Sequence, residues 1–197
     1  MTDGIGTLCV YCGSNAGTGF DYVGAARGLG RRIAEEGLRL VYGGARVGCM
    51  GAVADGALEA GGTVIGVLPE ALRARELAHP GLSELHIVGS MHERKSLMAD
   101  LSDGFVALPG GAGTLEEIFE MWTWAQLGHH AKPCAFLNVN GFYGALVGFL
   151  DQLVATGFVR PAHRDMLIVA DEPESLIAAC RRYAPPQVAK WIGREER

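Results

Sequence analysis

The sequence predicts a doubly wound α/β domain, a mostly parallel sheet with helices on both faces. Short, wholly apolar runs alternate about seven times with longer helical segments, the rhythm of strands buried on both sides and the helices that bury them. Glycine fills 29 of 197 positions, about twice its usual share, and the excess gathers at the ends of the predicted strands. No break in composition marks a second domain. Residues 1–183 are therefore expected to form one Rossmann-like unit, with residues 184–197 as a C-terminal tail.

Thr7 to Cys12 is the first strand, ended by Gly13-Ser14-Asn15-Ala16-Gly17. A helix follows from Asp21 to Glu36, with Gly37 as its stop. Leu38 to Tyr42 forms the second strand, and Gly43-Gly44-Ala45-Arg46-Val47-Gly48 is the glycine-rich turn after it. A second helix, Cys49 to Ala60, is closed by Gly61-Gly62, and the third strand runs from Thr63 to Leu68 before Pro69. Residues 70–83 read as an irregular excursion holding Arg73, Arg75, Glu76 and His79. Leu85 to Val88 is the fourth strand, Met91 to Leu101 the next helix and Phe105 to Leu108 the fifth strand. After a helix starting at Thr114 come a strand (Cys134 to Val139), a helix (Gly144 to Thr156), a last strand (Met166 to Val169) and a final helix (Pro173 to Arg182). Ligands of such sheets bind beyond the carboxyl ends of the strands, where the strand order reverses. The glycine turns after the first, second and fifth strands all belong to that edge.

The turn after the fifth strand is the most informative stretch, Pro109-Gly110-Gly111-Ala112-Gly113-Thr114-Leu115-Glu116-Glu117. Proline stops the strand, and the glycines admit backbone angles that other residues avoid. Thr114 sits where a helix N-cap belongs, with Glu117 three residues on, so the segment reads as a capping box. A glycine turn feeding a helix start aims unpaired N–H groups at one spot along the positive end of the helix dipole, which makes an anion site suited to phosphate. A Walker loop is excluded because Gly113 is followed by Thr114 and Leu115 rather than by Lys-Ser/Thr. The dinucleotide fingerprint is excluded because Gly13-Ser14-Asn15, not G-x-G-x-x-G, follows the first strand.

The chain is 49% hydrophobic and 20% charged, enough for a full core. A net charge of −5 without a basic face argues against nucleic acid. The N-terminus lacks a signal peptide's basic and apolar regions, and the apolar runs are too short to span a bilayer. A cytoplasmic protein is expected. Cys9-Val-Tyr-Cys12 has redox-pair spacing, but residues three apart on a strand face opposite sides. The five cysteines are therefore read as small buried hydrophobes in a reducing compartment.

Arg94 and Lys95 stand in or beside the apolar stripe defined by Met91, Met98 and Leu101. Either their stems cover the core with heads in water, or both point into the ligand pocket. Glu116, Glu120 and Thr123 follow i, i+4, i+7 on one polar face of the next helix, while Glu117 stacks over Met121 and Trp124. Carboxylates repel phosphate but suit sugar hydroxyls, an amine or a cationic transition state. His129-His130 lacks the partner pattern of a metal site, and no metal or cofactor is expected.

Pro109 to Glu117 resembles the P-G-G-x-G-T-x-x-E motif of the LOG family, cytokinin-activating nucleoside-monophosphate phosphoribohydrolases often labelled lysine decarboxylases. Met91-His92-Glu93-Arg94-Lys95 is similar to its M-x-x-R-K segment at the family's separation. Tyr42-Gly43-Gly44, Arg75-Glu76-Leu77 and Trp122-Thr123-Trp124-Ala125-Gln126-Leu127-Gly128 resemble further family segments. Ala112 stands where members commonly carry tyrosine. The resemblance spans residues 7–183 and implies hydrolysis of the N-glycosidic bond of an adenosine 5′-monophosphate, plain or N6-modified. It implies phosphate held by the turn Gly110, Gly111, Ala112, Gly113, Thr114 and Leu115, with Glu117 stabilising the ribosyl cation and activating water. Glu116 would then meet the ribose hydroxyls, Arg94 the phosphate or departing base, and Lys95 would add positive field. Ser14, Gly43, Glu76 and Thr123 are further implied substrate contacts, and a homodimer is implied.

Two other classes compete. A non-catalytic nucleotide or cofactor carrier would use the same fold. A pyridoxal-phosphate decarboxylase would need a Schiff-base lysine, and the chain offers only Lys95, Lys132 and Lys190.

Overall fold

A computed structural model describes residues 4–73 and 78–186. Glu76, with its neighbours Arg75 and Leu77, lies outside the described residues, as do residues 187–197 of the expected tail. The strands are β1 (Thr7–Tyr11), β2 (Arg39–Tyr42), β3 (Val64–Pro69), β4 (Glu84–Val88), β5 (Gly104–Ala107), β6 (Cys134–Leu137) and β7 (Leu167–Ala170). They form one seven-stranded parallel sheet in the order β4-β3-β2-β1-β5-β6-β7. The chain winds outward from β1 through β4, then returns to lay β5 on the other flank of β1. Cys9 pairs with Val41 on one side and Phe105 on the other, so the carboxyl ends of β1 and β5 meet at the switch in strand order.

The period of two along β1 separates two cores. Leu8, Val10 and Cys12 face α1 (Tyr22–Glu35), α2 (Gly48–Glu59) and α8 (Pro173–Arg182). Cys9 and Tyr11 face α4 (Met91–Asp100), α5 (Ala112–Leu127) and α6 (Gly144–Ala155). Cys9 and Cys12 thus point into opposite cores, and all five cysteines are free and buried. Burial pushes the Cys9 thiol up to about 12, which keeps it protonated and unreactive.

Three local features differ from expectation. The excursion after β3 opens with a short helix, α3 (Glu70–Arg73), and Ala78 forms an isolated bridge to Ala45. A four-residue helix, α7 (Pro161–Arg164), and a 3₁₀ turn at Val139–Gly141 are too short to leave a periodic signal. The third difference matters most. α5 begins at Ala112, with Gly111 as its extended N-cap and no side-chain cap bond. Thr114 is therefore the third helical residue and the capping box with Glu117 does not form. The extended Gly111 hands the chain directly to the helix, which moves the start two residues earlier than Thr114.

Candidate active site

The loops at the switch point are tied together by backbone bonds. Gly13 N–H donates to Pro109 O (3.2 Å), and Met50 N–H donates to Gly13 O (3.3 Å). The Tyr143 hydroxyl donates to Leu108 O at 2.6 Å, fixing the carbonyl just before the glycine turn. Between these loops opens a cavity of about 540 Å³. Its walls come from the β1 loop (Ser14 and Asn15 among others), the Pro109–Gly111 turn, Arg94 on α4, and Glu116 and Glu117 on α5.

At the α5 start, Leu115 N–H makes the first return bond, to Gly111 O at 3.2 Å. Among the described residues, no backbone acceptor pairs with the amides of Ala112, Gly113 or Thr114. These orphan donors face along the positive end of a helix running from Ala112 to Leu127. The close approach needs glycine at 110. A Cβ there would lie 2.1 Å from Thr114 Oγ1 and 2.8 Å from Gly13 N.

The α4 start is fixed by its own reciprocal cap. Ser90 Oγ accepts from Glu93 N–H (3.1 Å), while the Glu93 carboxylate accepts from Gly89 N–H (2.7 Å). One residue on, Arg94 is 7% exposed and Glu117 8%. Arg94 Nη2 stands 3.7 Å from Glu117 Oε1, and Nη1 approaches Met91 Sδ at 3.8 Å. Arg94 Nε is buried without a hydrogen-bond partner among the described residues. Neither guanidinium nor carboxylate is immersed in bulk water, so each retains strong interaction with whatever enters the cavity. Tyr11 closes the cavity floor. Burial first, then Cys9 and Glu117, push its phenol well above the ordinary value, leaving it a neutral donor.

Of the expected site residues, Ser14, Arg94, Gly110, Gly111, Gly113, Thr114, Glu116 and Glu117 border the cavity. Ala112 and Leu115 are not among the lining residues, and Leu115 packs against the α5-side core. Lys95 does not line it either: its buried ammonium pairs with Glu116 Oε1 (2.5 Å) and Glu120 Oε2 (2.9 Å). Thr123 donates to Phe119 O at 2.7 Å within α5. Gly43 lies behind Arg94 rather than on the cavity wall. His130 Nδ1 accepts from Lys132 N–H (3.1 Å), so Nε2 carries the proton donated to Met121 O (3.0 Å).

Sequence reasoning missed Tyr11, Tyr22 and Phe142. Tyr22 and Phe142 meet edge-on, with ring centroids 5.7 Å apart, at the cavity margin. Both follow strand carboxyl ends, so the edge rule that placed the glycine turns was the available signal.

A family model described as "possible lysine decarboxylase" matches residues 50–180. A Rhodococcoides fascians protein named cytokinin riboside 5′-monophosphate phosphoribohydrolase is 52% identical over 176 residues, 89% of each chain. An Arabidopsis thaliana protein of the same name is 44% identical over 178 residues, covering 90% of this chain and 83% of that one. Among solved structures, the molybdenum cofactor carrier protein of Chlamydomonas reinhardtii superposes with a TM-score of 0.66 at 28% identity, over 88% of this chain and 94% of that one. With a family match over most of its length and relatives at this identity along nearly the whole domain, the chain belongs to the LOG family, whose model carries the lysine decarboxylase label.

Proposed function

We propose that this protein is a phosphoribohydrolase that cleaves the N-glycosidic bond of adenosine 5′-monophosphates, plain or N6-modified, to free base and ribose 5-phosphate. One observation carries the reading: a buried arginine–glutamate pair, Arg94 and Glu117, borders the same cavity as a helix N-terminus whose first amides find no backbone acceptor among the described residues. The names of the relatives at 44–52% identity support it.

The chemistry follows from that arrangement. The 5′-phosphate rests on the Ala112–Thr114 amides, which fixes the ribose above the first turns of α5. As the C1′–N bond lengthens, its electron pair leaves with the base and positive charge builds on the sugar, as in glycoside cleavage. The Glu117 carboxylate stabilises that charge and takes a proton from the attacking water, whose oxygen bonds to C1′. Arg94 donates hydrogen bonds to the phosphate or to the anionic base as it departs. Glu117 then passes the proton on to the base.

Among the described residues, neither lysine fits pyridoxal phosphate. A Schiff base needs a free amine, but Lys95 is locked between two carboxylates. Lys132 Nζ donates to Ala99 O at 2.8 Å and sits over the Phe105 ring. A homodimer is supported by α6, a strongly apolar helix in which only Leu150 is buried and Phe149 stands exposed. Among the described residues no helix is long and apolar enough to cross a membrane, and five free thiols fit a reducing, cytoplasmic setting.

Incubation with AMP, isopentenyl-AMP and the matching nucleosides, followed by chromatography of the released base, tests the proposal. Base release that requires the 5′-phosphate is expected. Tight nucleotide binding without release would instead favour a carrier, the role printed for the Chlamydomonas neighbour.

A further inference from the structure

Three glutamates crowd the anion-binding end of α5: Glu116, Glu117 and Glu120. At about 1.5 Å of rise per residue, Glu116 lies about 6 Å and Glu120 about 12 Å along the axis from Ala112. The helix dipole contributes only about half a positive charge at that end. Left alone, these carboxylates would outweigh it and repel a phosphate. Arg94 stands against Glu117 at 3.7 Å. The other two share Lys95, whose Nζ is 2.5 Å from Glu116 and 2.9 Å from Glu120 while its side chain is only 7% exposed. Burial pulls the Lys95 pKa down, but the hydrogen bonds and charges of the two carboxylates outweigh that and leave it raised.

We propose that Lys95 is a positioning residue acting through Glu116 and Glu120. It binds no substrate itself. As their shared partner it draws both carboxylates toward α4 and neutralises them, so the Ala112–Thr114 amides present a net positive field to a phosphate. Its place beside Arg94 in the chain makes one helix responsible for offsetting all three acids. The inference rests on the phosphoribohydrolase reading for its ligand, while its electrostatics apply to any phosphate in that turn.

The test is binding of ribose 5-phosphate and of inorganic phosphate to the full chain by calorimetry at low and high salt. Lys95→Met keeps the aliphatic stem and removes the charge. It should weaken both ligands about tenfold at low salt, because two carboxylates then act unopposed on the turn, and the loss should shrink at high salt. The triple variant Lys95→Met/Glu116→Gln/Glu120→Gln removes acids and base together and is read with inorganic phosphate alone, which has no ribose for Glu116 to meet; it should bind that ligand within about threefold of the parent. A salt-independent loss, an unchanged affinity in Lys95→Met, or a triple variant as weak as the single one overturns the inference. Should Lys95→Met fail to fold, the triple variant decides alone: binding within threefold supports the inference and a tenfold loss sinks it. A parent that binds phosphate in this Lys95-dependent way but releases no base refutes the hydrolase reading alone. A parent that binds neither ligand overturns both.

Discussion

The Arg94 guanidinium occupies the space that a side chain on Gly43 would claim. A Cβ at residue 43 would lie 2.2 Å from Arg94 Nη2 and 2.3 Å from Met50 Cε. Glycine at the β2 terminus is thus the condition for an arginine to cross beneath the cavity and reach Glu117. Gly43→Ala should lower kcat/KM for base release about 100-fold, the scale of loss when a reacting group is displaced by roughly an ångström. Steady-state kinetics with a nucleotide substrate checks this, and a wild-type rate would show that Arg94 need not hold its observed place.

α5 begins at Ala112, so Thr114 is not its N-cap and the capping box that the spacing to Glu117 suggested does not form. Glu117→Gln preserves shape and removes only the charge and the basic oxygen. kcat should fall by about 10²–10⁴, the usual worth of a general base, while ribose 5-phosphate still binds at the amide turn. Retention of near-full turnover would reduce Glu117 to a structural partner of Arg94.

Much of this was legible in the chain. Runs such as Phe105-Val-Ala-Leu108 announce a buried parallel strand because both faces demand apolar side chains. The glycine turn after β5 announced a helix start whose first amides lack backbone acceptors among the described residues, because only backbone freedom at the turn is needed to make one. The two cations in the stripe of α4 announced a need for partners, since an unpaired buried charge costs roughly 3–5 kcal/mol. Which partners they would find was not legible. Lys95 meets Glu116 and Glu120 only because β5 lies between α4 and α5 in the chain and brings the two helices side by side on one face of the sheet. Likewise the meaning of Gly43 depends on a side chain from another element, and Thr114-Leu-Glu-Glu mimics a cap that Gly111 makes unnecessary.

His130 supplies a pH dependence of stability distinct from catalysis. Burial lowers its pKa below the ordinary 6.5, more than the Met121 carbonyl raises it. The folded state therefore binds a proton less readily than the unfolded chain, and stability rises with pH through this window. The contribution is present above about pH 6.5, the ordinary histidine value, and is lost as pH falls from there toward the lowered folded value. Melting curves in that range should show a slope that His130→Gln flattens, and an unchanged slope would assign the dependence to other groups.

The aromatic pair at the cavity margin bears on how a base is held. Phe142 is 42% exposed, although its ring meets Tyr22 edge-on and Tyr143 at 4.9 Å. An exposed aromatic face beside the cavity's other apolar side chains, Tyr22, Met50 and Met91 among them, suits the flat surface of a purine. Base–aromatic stacking is worth roughly 1–3 kcal/mol, which corresponds to about a 5- to 150-fold change in affinity. Phe142→Ala should therefore raise KM for nucleotide substrates within that range and leave kcat within about threefold, the pattern of lost uniform binding. Ribose 5-phosphate, which has no base, should bind the variant as it binds the parent. Equal weakening of both ligands would mean that Phe142 shapes the phosphate turn rather than the base site, because Tyr143, the next residue, holds Leu108 O at its edge.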